Sequence, residues 1–296
     1  MASNADIPAA YDLHLHTHWS YDATAEPEGY FKRARELGMR CIAITDHHVM
    51  DSLEEVLEIA PRYKGIRVIP SAELTVTTSA GNVDLLCYGL RPISKTLAGI
   101  LDRYHAWQQA NGEAISKGMR ALNYDFSDAH RLELLQSYRP AKAIRAQGNT
   151  HVKEEFLRDY FVKRGFIAKP EDFGNLMKRV RKSVPFPPYP DVAGVVQAVK
   201  ELGAVIAIAH PFGYFNGYDI RIMDALRREC RLDGIECAHW RTPPEYTIRH
   251  RDYCAQNGLF STGGSDSHSH DNPAFARHGG NDEWLDEFLD RLDSKQ

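Results

Sequence analysis

Seven short apolar runs recur along the chain, and longer amphipathic stretches separate them. Runs of this length, four to six residues here, are typical of strands that are buried on both faces of a sheet. Seven such strands alternating with helices predict a mostly parallel α/β sheet or barrel. The predicted strands are Tyr11–Leu15, Cys41–Thr45, Arg67–Ala72, Val83–Tyr88, Ala204–Ala209, Gly234–Cys237 and Leu259–Thr262.

Several helix ends are marked by proline or glycine. Pro27 is placed to start a helix that Gly38 ends, and Gly203 and Gly258 each follow another helical stretch. Proline suits the first turn of a helix, and glycine suits the position just after its last turn. A final amphipathic helix is predicted over Asp282–Leu292.

One long segment, residues 94–188, breaks the alternation because it contains no good strand run. It is rich in Lys, Arg and Glu and is predicted to form several helices. It ends in the proline-rich stretch Pro185–Pro190, which predicts a stiff connector. We interpret the segment as a helical insertion domain between the fourth and fifth strands, so that residues 1–93 and 189–296 form the main body of the fold.

Charge and composition restrict the partners that this chain is expected to have. With 36 Lys and Arg against 40 Asp and Glu, the net charge of −4 gives no reason to expect binding of long nucleic acid. No apolar run approaches the ~18 residues of a membrane span, and the start MASNADIPAA lacks the pattern of a secretory signal. The five cysteines are scattered, as expected of buried apolar residues in a reducing compartment. We therefore expect a cytoplasmic protein without membrane contact; the oligomeric state is not predicted.

Histidine and carboxylate residues gather at the ends of the predicted strands. In an α/β barrel the carboxyl ends of the strands surround the active site. Residues two apart on a strand also share a face, so the imidazoles of His14 and His16 can reach one metal ion. Each cluster alone has an ordinary interpretation as a helix cap, a turn or a solvated side chain, but their coincidence at successive strands favours one shared site. The clusters are His14 and His16, Asp46–His48, Glu73, Asp84, His210, Glu236 and His239, and Asp266–His268.

The types of side chain also restrict the chemistry. Imidazole and carboxylate without thiolate suit Zn, Mn or Fe in a catalytic site rather than in a sealed structural one. Ligands from six or more strands are too many for one ion. Several metal ions that bind a phosphate group and generate hydroxide at neutral pH explain the set economically.

The motifs that contain these residues resemble those of the PHP (polymerase and histidinol phosphatase) family, in the family's order. The resemblance implies a distorted (β/α)7 barrel, and the insertion resembles that of the branch of small phosphoesterases acting on nucleotides and sugar phosphates, in which it caps the substrate. The motifs are His14-Leu15-His16-Thr17, Ile44-Thr45-Asp46-His47, Ala72-Glu73, Ala209-His210-Pro211, Gly234-Ile235-Glu236 and Gly263-Gly264-Ser265-Asp266-Ser267-His268.

The same resemblance implies a centre of three divalent metal ions (Mn, Zn or Fe) and a bridging hydroxide as the nucleophile. The implied ligands of the first ion are His14, His16, Glu73 and Asp266; those of the second are Glu73, Asp84 and His210; those of the third are Asp22, His47 and His268. The residues to which we assign a direct part in catalysis are His14, His16, Glu73, His210 and Asp266.

Three positions depart from the family pattern. The usual Ser-Asp-Gly after the first histidine pair reads Ser20-Tyr21-Asp22 here, so the acid comes one residue later. Asp84 stands where this branch usually has His, which adds a negative charge and predicts an altered substrate range. Asn149 stands where an Arg commonly faces the substrate phosphate, and Lys142 or Arg145 is a candidate to substitute for that Arg.

Contacts to the substrate are expected from a further set of residues. The insertion supplies candidates to face the phosphate, and the loops after the later strands supply others. Tyr21, Trp240 and Arg241 are placed to flank the mouth of the barrel, although Trp240 is expected to pack against the protein rather than bind substrate. The predicted substrate-binding residues are Lys142, Arg145, His151, Arg221 and His239.

The function that these patterns favour is metal-dependent hydrolysis of small phosphate esters. The substrates would be phosphomonoesters, or small or cyclic phosphodiesters, of sugars or nucleotides; the sequence does not choose between them. Two alternatives stay open. Similar metal barrels hydrolyse C–N bonds as amidohydrolases, and some PHP domains attached to polymerases are catalytically weak metal-binding modules.

Overall fold

The computed structural model describes residues 8–91, 94–215 and 217–295. The prediction that the chain starts without a secretory signal depends on residues 1–10, and the first seven of these lie outside the described residues. Residue 93, the last one before the predicted insertion, lies outside them as well.

The seven predicted strands form one sheet in which every strand pairs with its neighbours in the sequence. A parallel bridge between Leu15 and Ser267, the latter just after the last strand, brings the two edges of the sheet together, so the barrel is nearly closed. The distorted barrel fold is thereby confirmed. The strands are Tyr11–Leu15 (β1), Cys41–Ile44 (β2), Arg67–Thr78 (β3), Gly81–Tyr88 (β4), Val205–Ile208 (β5), Gly234–Ala238 (β6) and Phe260–Gly263 (β7).

Strand β4 runs antiparallel to both of its neighbours, whereas the other four pairs of strands are parallel. The prediction that the third strand ends at Ala72 is therefore wrong, because β3 continues to Thr78 and turns directly into β4 near Gly81, whose φ is 104°. Residues 74–78 are rich in Thr and Val, which favour strands. Glu73 and Asp84 consequently lie within strands rather than at strand ends.

The register of this hairpin determines which side chains share a face. Thr75 pairs with Asp84, and Glu73 lies two residues before Thr75. Residues two apart on a strand, and residues directly opposite on a partner strand, project to the same side of the sheet. Glu73, Thr75 and Asp84 therefore face one side together.

Twelve α-helices and two short 3-10 helices, Ala60–Arg62 and Pro170–Asp172, are found among the described residues. The predicted helix ends are confirmed: Pro27 starts the first helix, Gly38 and Gly203 follow helices with positive φ, and Gly258 has left-handed geometry after the eleventh helix. The helices are Pro27–Glu36 (α1), Leu53–Ile59 (α2), Lys95–Ala121 (α3), Asp128–Tyr138 (α4), Ala141–Gln147 (α5), Glu154–Lys163 (α6), Phe173–Ser183 (α7), Val192–Lys200 (α8), Phe212–Phe215 (α9), Ile220–Glu229 (α10), Pro244–Asn257 (α11) and Asp282–Asp293 (α12).

Helices α3 to α7 follow one another between β4 and β5 and contribute to a hydrophobic cluster of their own. Met119, Phe126, Leu135, Phe161 and Val180 are fully buried in this cluster. The interior of the barrel forms other clusters, in which the strands and the helices that cover them pack together. The long helix α3 belongs to both regions, since its first half packs with the barrel and its second half with α7.

The five cysteines are all buried and free, in agreement with their expected role as small apolar residues. Among the helices that the structure describes, none combines the length and the apolar character needed to cross a membrane.

The packing of the loop before α12 against β1 generates a stability prediction. A Cβ atom at Gly279 would overlap the backbone carbonyl of Tyr11, which is part of the sheet and has little freedom to move. We expect Gly279→Ala to lower the free energy of unfolding by about 2 kcal/mol or more, as overpacked sites do. A Cβ atom at Gly99 in α3 would lie within 4 Å of no atom beyond the adjacent residues and the nearby backbone of its own helix, so Gly99→Ala should raise stability by roughly 0.5–1 kcal/mol. Thermal and urea unfolding measure both changes, and an unaltered Gly279→Ala protein would contradict the packing described.

Candidate metal centre

Nine histidine and carboxylate side chains converge at the mouth of the barrel. Their potential ligand atoms form three groups, and within each group the atoms lie within 4.8 Å of one another. We call the three sets the first, second and third groups. The first group is His14, His16, Glu73 and Asp266; the second is Glu73, Asp84 and His210; the third is Asp22, His47 and His268, which His16 also approaches.

Glu73 connects the first two groups. Its side chain is fully buried, and its Oε2 atom lies 3.0 Å from Nε2 of His14 and 3.2 Å from Nε2 of His16. Its other oxygen, Oε1, lies 3.2 Å from Nε2 of His210. Because the two oxygens face different imidazoles, a single carboxylate can serve two adjacent sites.

Asp22 reaches the third group in spite of its shifted position in the sequence. Its Oδ2 atom lies 2.9 Å from Nε2 of His268 and 3.4 Å from Nε2 of His47. Ser20 supports this arrangement, since its hydroxyl donates to Oδ1 of Asp22 at 2.7 Å and accepts from the backbone N–H of His47. A serine two residues earlier thus orients the acid.

Asp84 belongs to the second group and is largely buried, with a side chain that is 20% exposed. Its carboxylate accepts hydrogen bonds from Thr75 Oγ1 at 2.5 Å and from the hydroxyl of Tyr214 at 2.8 Å. Its Oδ2 atom lies 4.0 Å from Nε2 of His210. A strand partner and an aromatic hydroxyl therefore hold the carboxylate toward His210.

Glu236 orients His14 and His210 through contacts to the ring of the first and the backbone of the second. One oxygen lies 2.9 Å from Nδ1 of His14, and the other accepts the backbone N–H of His210 at 2.7 Å. A carboxylate at Nδ1 keeps the proton on that nitrogen and leaves Nε2 free to act as a ligand. Gly264 permits this contact, because a Cβ atom at that position would overlap His14.

Asp12 connects the end of β1, which contains His14, to the segment that follows β7. Its carboxylate is buried and accepts the backbone N–H groups of His14, Ser265 and Ala276. Burial raises the pKa of Asp12 to about 6, although these N–H donors favour its charged form. Asp12 thus ties β1 to the loop that contains Asp266.

The donor set fits divalent cations. Both ring nitrogens of His16 and the Nδ1 atom of His47 are buried without a hydrogen-bond partner among the described residues. Carboxylate oxygens nevertheless lie 3.2 Å from Nε2 of His16 and 3.3 Å from Nδ1 of His47. Burial by itself lowers the pKa of His16, but Asp266 and Glu73 outweigh it and raise the pKa to about 10. Positive charge next to Glu73 and Asp266 is therefore stabilised. Imidazole with carboxylate is a ligand set that Zn, Mn and Fe accept.

Two of the five predicted substrate-binding residues lie at this mouth. The ring of His151 lies 3.8 Å from that of Tyr21, which in turn is 5.6 Å from His47. His239 is buried, and its Nε2 atom lies 3.5 Å from Oδ2 of Asp266. His239 thus contacts the first group directly, and Tyr21 lies between His151 and the third group.

The predicted cations are placed differently. Lys142 pairs with Glu55 at 2.6 Å, and Arg145 is exposed on α5. Arg221 is 89% exposed and contacts Asp219 at the start of α10. The structure does not bring these three cations to the three groups: Glu55 and the ring of Trp19 hold Lys142, whereas Arg145 and Arg221 are exposed on their helices.

Asn149, which stands at the family's arginine position, is held within the insertion. Its carboxamide oxygen accepts from Nε of Arg131 at 3.0 Å, and its backbone carbonyl accepts from Nη2 of the same residue. Arg131 is itself buried. The hydrogen bonds of Asn149 are therefore made to a buried arginine within the insertion.

Sequence reasoning missed Arg139, which joins the insertion to the metal-binding loops. Its buried guanidinium donates to the backbone carbonyls of His18 and Trp19 and to the side chain of Gln147. Gln147 in turn donates to Trp19 and to Asp51. Nothing in the local sequence distinguishes Arg139 from its exposed neighbours, so only the fold reveals this contact.

Two cavities are lined in part by the segment 151–155, and one of them includes residues of the three groups. The open cavity, of about 600 Å³, is lined by Asp266 and His268 together with Lys153, Trp240 and Arg241. The aromatic cavity, of about 650 Å³, lies beside Tyr21 and His151 and has walls from α3, α7 and the proline-rich connector. The prediction that Trp240 packs against the protein is wrong, since this side chain is 52% exposed.

Comparison with known proteins places the chain in a family. The model of the PHP domain matches residues 12–169, which is more than half of the chain. The chain is 22% identical over 269 residues to the 5'-3' exoribonuclease Rnm of Salmonella typhimurium, and the alignment covers 90% of this chain and 87% of that protein.

Two solved structures share the fold over almost their whole length. One is described as a candidate metal-dependent phosphoesterase from Bifidobacterium adolescentis (TM-score 0.74, 23% identity, covering 96% of this chain and 97% of the other). The second is an amidohydrolase from Chromobacterium violaceum (TM-score 0.74, 18% identity, 97% of each chain). The domain match, supported by the converging histidine and carboxylate residues, shows that the chain belongs to the PHP family of metal-dependent phosphoesterases.

Proposed function

We propose that this protein hydrolyses small phosphate esters at three divalent metal ions (Mn, Zn or Fe) held by the three groups. The observation that carries the proposal is the arrangement of nine ligand-type residues in three adjacent sets that share Glu73. Divalent metal ions bound there would polarise the phosphoryl oxygens. They would also lower the pKa of bound water, so that hydroxide is available near neutral pH.

The chain's own residues would hold and orient the reacting groups. Glu236 orients His14 and the backbone of His210, while Ser20 orients Asp22. His239 and His151 lie beside the groups and can donate or accept hydrogen bonds to a bound ester. Glu236 and Ser20 thus fix the orientation of the ligand-type side chains before substrate binds.

A small substrate is favoured by the way the insertion covers the barrel. We propose that residues 94–188 are a substrate cap. Tyr138 donates to the backbone carbonyl of Tyr21, and Arg139 donates to those of His18 and Trp19, so the insertion is bonded to the loop that contains Asp22. The open cavity, which Asp266 and His268 line, has a volume of about 600 Å³, the size of a site for a small molecule.

A second candidate function is removal of nucleotides from the 5' end of RNA. It is favoured by the similarity to Rnm along 90% of this chain. Against it, the chain has a net charge of −4, whereas proteins that follow a nucleic acid backbone usually present a basic surface. An oligoribonucleotide substrate therefore belongs in any test of the first proposal.

Metal content tests the three groups directly. We expect protein reconstituted with Mn, Zn or Fe to approach three equivalents by elemental analysis. Glu73→Gln should lose about two equivalents because Glu73 serves two groups, and Asp22→Asn should lose about one. His270→Gln provides a control, since His270 lies in the same loop as His268 but outside the groups. One equivalent or fewer in the wild-type protein would refute the three-metal proposal.

Substrate range tests the proposed activity. We expect the metal-loaded protein to release phosphate from ribose 5-phosphate or AMP, or to open a cyclic phosphodiester, and to leave a 5'-phosphorylated oligoribonucleotide at its full length. Glu73→Gln should reduce these rates by more than 100-fold, because the ions that activate water are lost. Stepwise shortening of the oligoribonucleotide with no hydrolysis of the small esters would favour the second candidate.

Asp84 generates a prediction about ester type. Asp84→His restores a neutral ligand, so the centre carries one negative charge fewer and should bind a dianionic monoester more strongly than a monoanionic diester. We expect the ratio of diester to monoester kcat/KM to fall by roughly tenfold or more.

Asp84→Asn is the matched control, because it removes the charge without supplying an imidazole. It should weaken metal binding at the second group rather than restore it. The same ratio in the wild-type and Asp84→His proteins would show that Asp84 does not determine the ester type.

A further inference from the structure

The loop that follows β6 presents two residues that have no part in the functions proposed above. β6 ends at Ala238, so Trp240 and Arg241 lie at the carboxyl end of a barrel strand, where substrate-contacting loops occur. His239 is buried against Asp266, whereas the next side chain, Trp240, is 52% exposed. We propose that Trp240 and Arg241 bind a planar unsaturated ring of the substrate, such as a nucleobase, and so favour ring-bearing phosphate esters over plain sugar phosphates. This inference depends on the proposed function, since it assigns a substrate class to the same site.

The open cavity connects this pair of residues with the metal groups. Its lining includes Asp266 of the first group and His268 of the third group as well as Trp240 and Arg241. An ester whose phosphate lies at the first and third groups can therefore extend along the cavity to the indole of Trp240. A volume of about 600 Å³ accommodates a nucleotide-sized molecule.

The chemistry of the two side chains suits a ring with polar substituents. The guanidinium carbon of Arg241 lies 4.5 Å from the centre of the Trp240 ring, which forms a cation–π contact. An exposed indole provides a flat apolar surface on which a base or another planar ring stacks. Lys153 and Glu155, from the segment 151–155, also line the cavity, where they form an ion pair with an N–O distance of 3.4 Å that the polar edge of such a ring can contact.

Exposure alone does not single out Trp240, because isolated apolar side chains on a surface are ordinary. Among the described residues, Leu57, Ile220 and Ile248 are also at least half exposed. Trp240 differs from these three because it lines the open cavity, which Asp266 of the first group and His268 of the third group also line. Exposure and position together point to a contact with substrate.

The test compares two molecules that differ only in the ring. Non-hydrolysable phosphonate analogues of AMP and of ribose 5-phosphate would be titrated into the metal-loaded, full-length protein by calorimetry. We expect the wild-type protein to bind the AMP analogue about tenfold more tightly or better, the ratio that one stacked base provides. Trp240→Ala should reduce this preference to less than twofold, and Trp240→Phe should retain most of it.

Ile248→Ala is the control, because Ile248 is a similarly exposed apolar residue, on α11. It should leave both dissociation constants unchanged. A wild-type protein without preference for the AMP analogue, or a Trp240→Ala protein that keeps it, would overturn the inference. Phosphate release from AMP and ribose 5-phosphate is measured separately, so loss of the proposed activity and loss of ring binding are distinguishable.

Discussion

Buried carboxylates facing buried imidazoles are the constraint on which the mouth of this barrel depends. Glu73 is fully buried within β3, and Asp266, Asp22 and Asp84 lie around it with little exposure. A buried negative charge is costly unless a positive charge or hydrogen bonds compensate for it. Positive charge near these carboxylates would therefore stabilise the fold at the mouth of the barrel. Metal binding and the stability of the mouth are coupled in this way.

The sequence was most informative where chemistry and periodicity coincide. The seven apolar runs, the histidine pair at the end of β1 and the cluster after β7 could be recognised because strands of a barrel bring their ends to one place. The resemblance to the PHP family then suggested sets of residues, and the structure brings the members of each set close together. The role of each residue in these sets stays a prediction.

What the sequence did not predict depends on tertiary contacts. The extension of β3 past Glu73 and the antiparallel course of β4 follow from pairing between strands, which a run of Thr and Val does not specify. The burial of Arg139 and the exposure of Trp240 were missed for a related reason. Arginine is usually exposed and tryptophan usually buried, and only the folded structure shows that these two residues are exceptions. Lys142 and Arg145 were chosen because their charge suits phosphate, but Lys142 pairs with Glu55 and Arg145 is exposed on α5.

The course of β4 also bears on how this site can change during evolution. Asp84 is paired with β3 on one side, and its backbone carbonyl accepts the N–H of Ala209 just after β5 on the other. Insertions or deletions at this position would shift the register of the sheet and turn its side chains to the opposite face. Diversification at Asp84 therefore proceeds by replacing one side chain with another. Trp240 and Arg241 stand in a connecting loop, which tolerates changes in length. Related enzymes can accordingly acquire new ligand types and new substrate contacts by two independent kinds of mutation.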